Sequence, residues 1–195
     1  MKRVPWGWLG AGAGAALVGY LVWRSRPSAP SRTAVGIAVS TEPPPAAARR
    51  ARLMPAFRGA AARHGLPLAW LLAVARKETG FANVRSRPGQ RDDELGGAWG
   101  PLQVTGATAK ALGFAPAVAP ETRGQAILAD PGLGVELGAR YLARLVGELG
   151  PDLGLVAAAY NAGPRRVRQG QIPARTARAY VPRVLAYAHE YQGLT

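Results

Sequence analysis

Ala73-Val74-Ala75-Arg76-Lys77-Glu78-Thr79-Gly80-Phe81 is the stretch where an apolar helix runs out and delivers a single acidic residue to whatever lies beyond it. Upstream, Leu66, Leu68, Trp70, Leu71, Leu72 and Val74 are too apolar for an exposed face, and Pro67 suits a first helical turn, where its missing N–H costs nothing. The spacing predicts a buried helix over 67–77, stopped by Gly80. Glu78 then sits at the end of that helix, partly desolvated but beside a loop through which a ligand can reach it. A carboxyl so placed tends to hold its proton. Taken alone, the stretch fits a solvated helix-end glutamate better than a catalytic one, and it is the residues downstream that change the balance.

Outward from this helix the chain reads as almost wholly helical. Further helices are expected over 46–54, 55–63, 105–112, 133–149, 153–160, 164–169 and 177–191, several of them ended by Gly65, Gly113 and Gly150. In 133–149, Leu133, Leu137, Tyr141 or Leu142, and Leu145 recur every three to four positions, which puts them on one core-facing stripe. Strand signals are scarce. The longest irregular stretch, 82–99, carries Pro88-Gly89 and Gly96-Gly97, and a loop of that length in a compact domain is more often functional than idle.

Composition sets limits on the chemistry. The chain has 195 residues, enough for one ordinary domain and an appendage, and it has no cysteine, which excludes thiol catalysis, cysteine metal sites and a lipoprotein anchor. With only His64 and His189, neither a histidine metal site nor a metal cofactor is expected. The net charge of +14, with twenty-two of twenty-five basic residues being arginine, points to a polyanion such as cell-wall polymer, anionic lipid or nucleic acid. Nucleic acid is the poorest fit, because Arg165, Arg166, Arg168, Arg175, Arg178 and Arg183 lack interleaved aromatics apart from Tyr180.

The N-terminus reads as a membrane anchor. Residues 4–23 hold no charge, and twenty residues at 1.5 Å rise span roughly 30 Å, the thickness of a bilayer core. Trp6, Trp8, Tyr20 and Trp23 mark its ends, with Lys2, Arg3, Arg24 and Arg26 outside them. A cleaved signal peptide is the rival reading, but arginines directly follow the apolar run, so an uncleaved transmembrane helix is expected over 1–26, a Pro/Ser/Ala-rich linker over 27–47, and the globular domain over 48–195. The flanking charges do not orient the anchor.

After Glu78 come Gly100-Pro101-Leu102-Gln103, then Ala159-Tyr160-Asn161-Ala162-Gly163, then Thr176 and Tyr180-Val181. In this order and spacing the chain resembles the soluble lytic transglycosylase family, the goose-lysozyme-like domain that cleaves peptidoglycan. The resemblance runs from about residue 51 to 191, and it implies a mainly α, lysozyme-like fold. It also implies glycan strands of peptidoglycan as substrate, no cofactor, and a domain facing the cell wall from a cytoplasmic or virion membrane.

The resemblance implies a role for each matching position. Glu78 matches the catalytic acid/base, and Thr79 stands where the family usually has serine. Gln103 matches a glutamine facing the sugar, with Pro101 and Leu102 in place of the family's Leu and Met. Tyr160 and Asn161 match cleft residues beside the glutamate, Tyr180 a tyrosine near it, and Ser86 a serine that touches the N-acetyl group. In this family one raised-pKa carboxyl suffices: the substrate's N-acetyl group assists at the sugar centre and the muramic C6 hydroxyl attacks, leaving a 1,6-anhydro end. The run 87–94 looks like an insertion relative to the family, and it carries Asp92, Asp93 and Glu94. A solvated loop is the favoured reading of it. The alternative is a second carboxylate that would make the protein a hydrolysing muramidase. A wall-binding component of a secretion or phage-entry machine that does not cut is the other class left open.

Overall fold

The computed structural model describes residues 42–86, 97–114 and 120–194. The expected membrane helix over 1–26, most of the linker and the acidic run 92–94 lie outside the described residues. Among the described residues no helix is long and apolar enough to cross a membrane.

Helix α1 spans Pro44–His64 and α2 spans Leu68–Thr79, each ended by a left-handed glycine, Gly65 at φ 63° and Gly80 at φ 59°. In both caps the glycine N–H reaches back to two carbonyls of the last turn, which the chain leaves open unless it reverses there. The sequence predicts two helices, over 46–54 and 55–63, where the structure has the single helix α1. The helix runs through Pro55. Pro55 lies on the exposed side and deprives only the carbonyl of Ala51, also exposed, so water can take the lost bond while Phe57, Ala60 and Ala61 remain buried on the other side.

The start of α1 also moves the expected end of the linker. Pro44 and Pro45 occupy its first turn rather than an extended polyproline segment. Ahead of them, the wholly buried Glu42 carboxylate accepts from Arg50 Nε at 2.9 Å and from the Tyr191 hydroxyl at 2.8 Å. The chain is therefore fixed to the domain from Glu42 onward, several residues before the boundary read from composition.

After α2, residues 84–86 pair with a short antiparallel hairpin of β1 (Ala98–Trp99) and β2 (Val104–Thr105), in which Ala98 faces Thr105 and Trp99 faces Val104. The Ser86 N–H donates to Ala98 O and the Gly100 N–H to Val84 O, both at 2.9 Å. Helices α3 (Gly106–Ala111) and α4 (Pro120–Ala129) follow. No helix is expected at α4, which has no apolar stripe; its Gly124 lies so close to the Trp99 ring that a Cβ there would come within 2.2 Å. Helix α5 (Pro131–Leu149) is capped by Asp130, whose Oδ1 accepts from the Gly132 N–H at 2.8 Å; of its predicted stripe it buries Leu137, Leu142 and Leu145, with Leu133 half-buried and Val135 buried besides. Helices α6 (Leu153–Ala162) and α7 (Pro164–Arg168) lead to a π-helical turn, Thr176–Tyr180, which continues into α8 (Val181–Tyr191).

The core lies where α2 is sheathed by α1, α5 and α8. Leu71, Leu72, Ala73, Val74 and Ala75 of α2 have no exposed surface, so the helix is enclosed almost all round, as its composition required. Phe57 meets Phe81 edge-on at 5.9 Å, and Phe81 meets Tyr191 at 6.4 Å, which joins α1, the end of α2 and α8 in one aromatic cluster. Each fully buried Leu or Phe adds roughly 1.5–3 kcal/mol of apolar transfer, enough to hold the last turn of α2 rigid.

Candidate active site

Glu78 lies in the last turn of α2, two residues before the Gly80 cap, where the helix leaves the core. Burial pushes its carboxyl above the usual carboxylate range. A hydrogen bond from the Tyr180 hydroxyl to Oε1 and the nearby charge of Lys77 pull it back down without cancelling the shift. The group therefore keeps a proton to higher pH than a solvated glutamate while still having partners for its ionised form.

Tyr180 reaches Glu78 because its helix is irregular. Pro182 has no N–H to give to residue 178 and its ring crowds that carbonyl, so an α-helix cannot run unbroken through this point. The chain widens into the π turn instead, and the Val181 N–H bonds to Thr176 O, five residues back. Within the same turn the buried Thr176 donates its hydroxyl to Asn161 Oδ1 at 2.7 Å, which ties the end of α6 to the start of α8 while Asn161 stays exposed.

The other wall is built on the turn between β1 and β2. Gly100 at φ 78° and Gln103 at φ 51° turn the chain sharply, and a Cβ on Gly100 would meet Ile127 at 2.7 Å. Gln103 Nε2 donates to Gly100 O at 2.9 Å and to Val84 O at 3.0 Å. Its amide hydrogens hold the turn to the segment beside it. The Thr79 hydroxyl donates to Pro101 O at 2.9 Å, fastening this turn to α2 beside Glu78. Tyr160 donates to Leu102 O at 2.6 Å and lies against Tyr141 with ring centroids 5.3 Å apart. Burial and then the Glu78 charge hold the Tyr160 and Tyr180 phenols well above their ordinary range, so both are neutral donors.

Of the expected site residues, the structure thus gathers Glu78, Tyr180, Tyr160, Thr79 and Gln103 about one turn and one helix end. Asn161 joins them through Thr176. Ser86 is half-buried at the edge of the strand patch and is bonded there through its backbone. Sequence reasoning passed over three neighbours. Lys77 has its ammonium 5.0 Å from the centroid of the Tyr180 ring. Thr176 was noted only as part of the motif order. Asn83 bonds the loop after α2 to Leu128 O at 2.7 Å, and its Oδ1 is buried with no hydrogen-bond partner among the described residues. Only the turn-forming Gly-Phe-Ala-Asn string hinted at it.

No second carboxylate accompanies Glu78 among the described side chains. Glu42 holds Arg50 and Tyr191, Glu136 holds Arg63 and His64, Glu148 holds Arg144 and Arg168, and Glu190 holds Arg76. Asp130 and Asp152 cap α5 and α6. Among the described residues no three His, Asp or Glu side chains cluster closely enough to bind a metal ion.

Residues 55–180 match the family model described as the transglycosylase SLT domain. The chain belongs to this family. Two solved structures share the SLT fold with it. One is the 70 kDa soluble lytic transglycosylase of Escherichia coli, at 26% identity over 72% of this chain with a TM-score of 0.58. The other is the lytic transglycosylase Slt of Pseudomonas aeruginosa, solved as an inactive glutamate-to-glutamine mutant, at 27% identity over 71% of this chain with a TM-score of 0.55. The SLT chain described here spans only 24% and 23% of those two proteins.

Proposed function

We propose that this protein is a peptidoglycan lytic transglycosylase with Glu78 as its single acid and base. What carries the proposal is the state of Glu78: a partly buried carboxyl with a raised pKa, hydrogen-bonded by Tyr180, with no second carboxylate beside it among the described residues. Family membership and the likeness to two lytic transglycosylases support the same reading. Glu78 gives its proton to the glycosidic oxygen as the bond to C1 of the muramic sugar breaks. The N-acetyl group assists at C1, the C6 hydroxyl adds to C1, and its proton returns to the Glu78 carboxylate. Atoms balance without water, so the product is a 1,6-anhydro end. Tyr160 and Tyr180, both neutral donors, line the site in which charge develops. The uncharged run at 4–23 motivates the further proposal that the domain is held at a membrane facing the wall; recovery of the full chain in the soluble fraction after membranes are pelleted would exclude this.

The mass of the released fragments tests the chemistry, because an anhydro end is lighter by one water than a hydrolysed reducing end. Glu78→Gln should lower the rate at least ~10²-fold, while simultaneous replacement of Asp92, Asp93 and Glu94 by their amides should cost far less. Reducing ends as the main product, with loss of activity in the triple variant, would instead indicate a hydrolase using a loop carboxylate. Full activity in Glu78→Gln would refute both.

A further inference from the structure

Burial alone makes Glu78 hold its proton to higher pH and give it up less readily, and the same residue must both donate a proton and take one back. The means of restoring the balance is the pair Tyr180 and Lys77. The Tyr180 hydroxyl donates to Glu78 Oε1, and the half-buried Lys77, next to Glu78 on α2, lays its ammonium over the face of the same ring, 5.0 Å from the centroid. One phenol therefore touches the acid with its hydroxyl and a cation with its π-face.

We propose that Lys77 is a positioning residue for the reaction, acting through Tyr180: its ammonium holds the ring against the end of α2 and makes its hydroxyl a stronger donor to Glu78. A cation on the ring face draws electron density from the phenol, which strengthens O–H donation toward a carboxylate. The contact also restrains the ring where the π turn meets α8, a place where the backbone is irregular and sets side-chain direction less firmly. Among the described residues the groups that act on the ionisation of Glu78 are Tyr180 from the π turn and Lys77 from its own helix, both favouring the carboxylate; Tyr160 from α6 in turn responds to the Glu78 charge. Lys77 itself touches neither substrate nor reacting atom in this scheme.

The inference rests on the proposed role of Glu78, so its test includes a readout that needs no turnover. The full chain in detergent, labelled with δ-13C glutamate, gives a titration curve for Glu78, whose signal is identified by its loss in Glu78→Gln. Lys77→Met keeps the aliphatic stem and removes the charge. The Glu78 midpoint should move to higher pH in Lys77→Met and return toward that of the parent protein in Lys77→Arg. In kcat/KM profiles on purified cell wall, the alkaline limb should shift the same way, so that Lys77→Met gains about 2- to 5-fold relative to the parent on that limb compared with the acidic one, the factor a cation–π contact supplies. In a Tyr180→Phe background the Lys77→Met shift should shrink to the direct effect of the Lys77 charge, because the hydroxyl that relays the rest is gone. A midpoint that stays put or falls would overturn the proposal, and so would an undiminished shift in the Tyr180→Phe background, which would show Lys77 acting directly through space. If the parent protein releases no wall fragments, the proposed function fails while the titration still reports on the Lys77–Tyr180–Glu78 relay.

Discussion

Two glycines on one helix should respond to the same substitution with opposite signs. At Gly138 of α5 an added Cβ would come within 2.4 Å of Leu102 Cδ1, 2.6 Å of its Cβ and 2.9 Å of its Cγ, whereas at Gly147 nothing lies within 4 Å. Because the Leu102 Cβ is among the clashing atoms, a change of rotamer cannot relieve the overlap and the turn carrying Leu102 must move. Overpacking of this kind costs roughly 1–3 kcal/mol, offset by about 0.5–1 kcal/mol that alanine gains over glycine inside a helix. Because the Leu102 Cβ itself clashes, the cost lies in the upper part of that range, about 2–3 kcal/mol, and Gly138→Ala should lose roughly 1–2.5 kcal/mol. At roughly 2–4 °C per kcal/mol for a domain of this size, its Tm falls by about 2–10 °C. Gly147→Ala, with only the helix gain, should raise Tm by about 1–4 °C. Circular dichroism melts of the two variants beside the parent protein decide the matter. The Leu102 carbonyl accepts the Tyr160 hydroxyl at 2.6 Å, so Gly138→Ala should also lose wall-degrading activity at temperatures where it is fully folded, and Gly147→Ala should not. Shifts of the same sign in both variants would refute the reasoning.

Two further outcomes follow from the electrostatics and from the N-terminal strap. The Glu78 carboxyl has a folded pKa above its unfolded one, so between the two the native state binds more protons and loses stability as pH rises. Glu78→Gln does not titrate there, and its Tm relative to the parent protein should climb from about pH 4 toward neutrality; a difference that falls instead would contradict the raised pKa. Glu42→Ala strips the buried partner from Arg50 and Tyr191 and should cost about 1–3 kcal/mol in urea unfolding, with m unchanged, while an unaffected midpoint would mean that residues before α1 are not part of the cooperative domain.

The sequence alone determined the elements whose signals are local. The apolar run into Glu78 and the Gly80 stop defined α2, because a helix enclosed on all sides needs continuous hydrophobicity and its reversal needs a left-handed residue. The stripe of α5 was legible for the same reason, as was the order of the motifs that revealed the family. Tertiary structure decided whatever depends on partners distant along the chain. Whether Pro55 breaks a helix depends on which of its faces meets water, and sequence does not say which face that is. The proline-rich residues before α1 read as a tether by composition, yet Glu42 is fixed there by Tyr191, 149 positions away. Helix α4 has no pattern of its own and is placed by the packing of Gly124 on Trp99. The same holds within the site: the motif named Tyr180, but its hydrogen bond to Glu78 spans 102 positions and depends on a widened turn forced by Pro182. Local periodicity encodes only neighbours a few residues apart, whereas the ionisation of Glu78 is set by side chains that only the folded chain brings together.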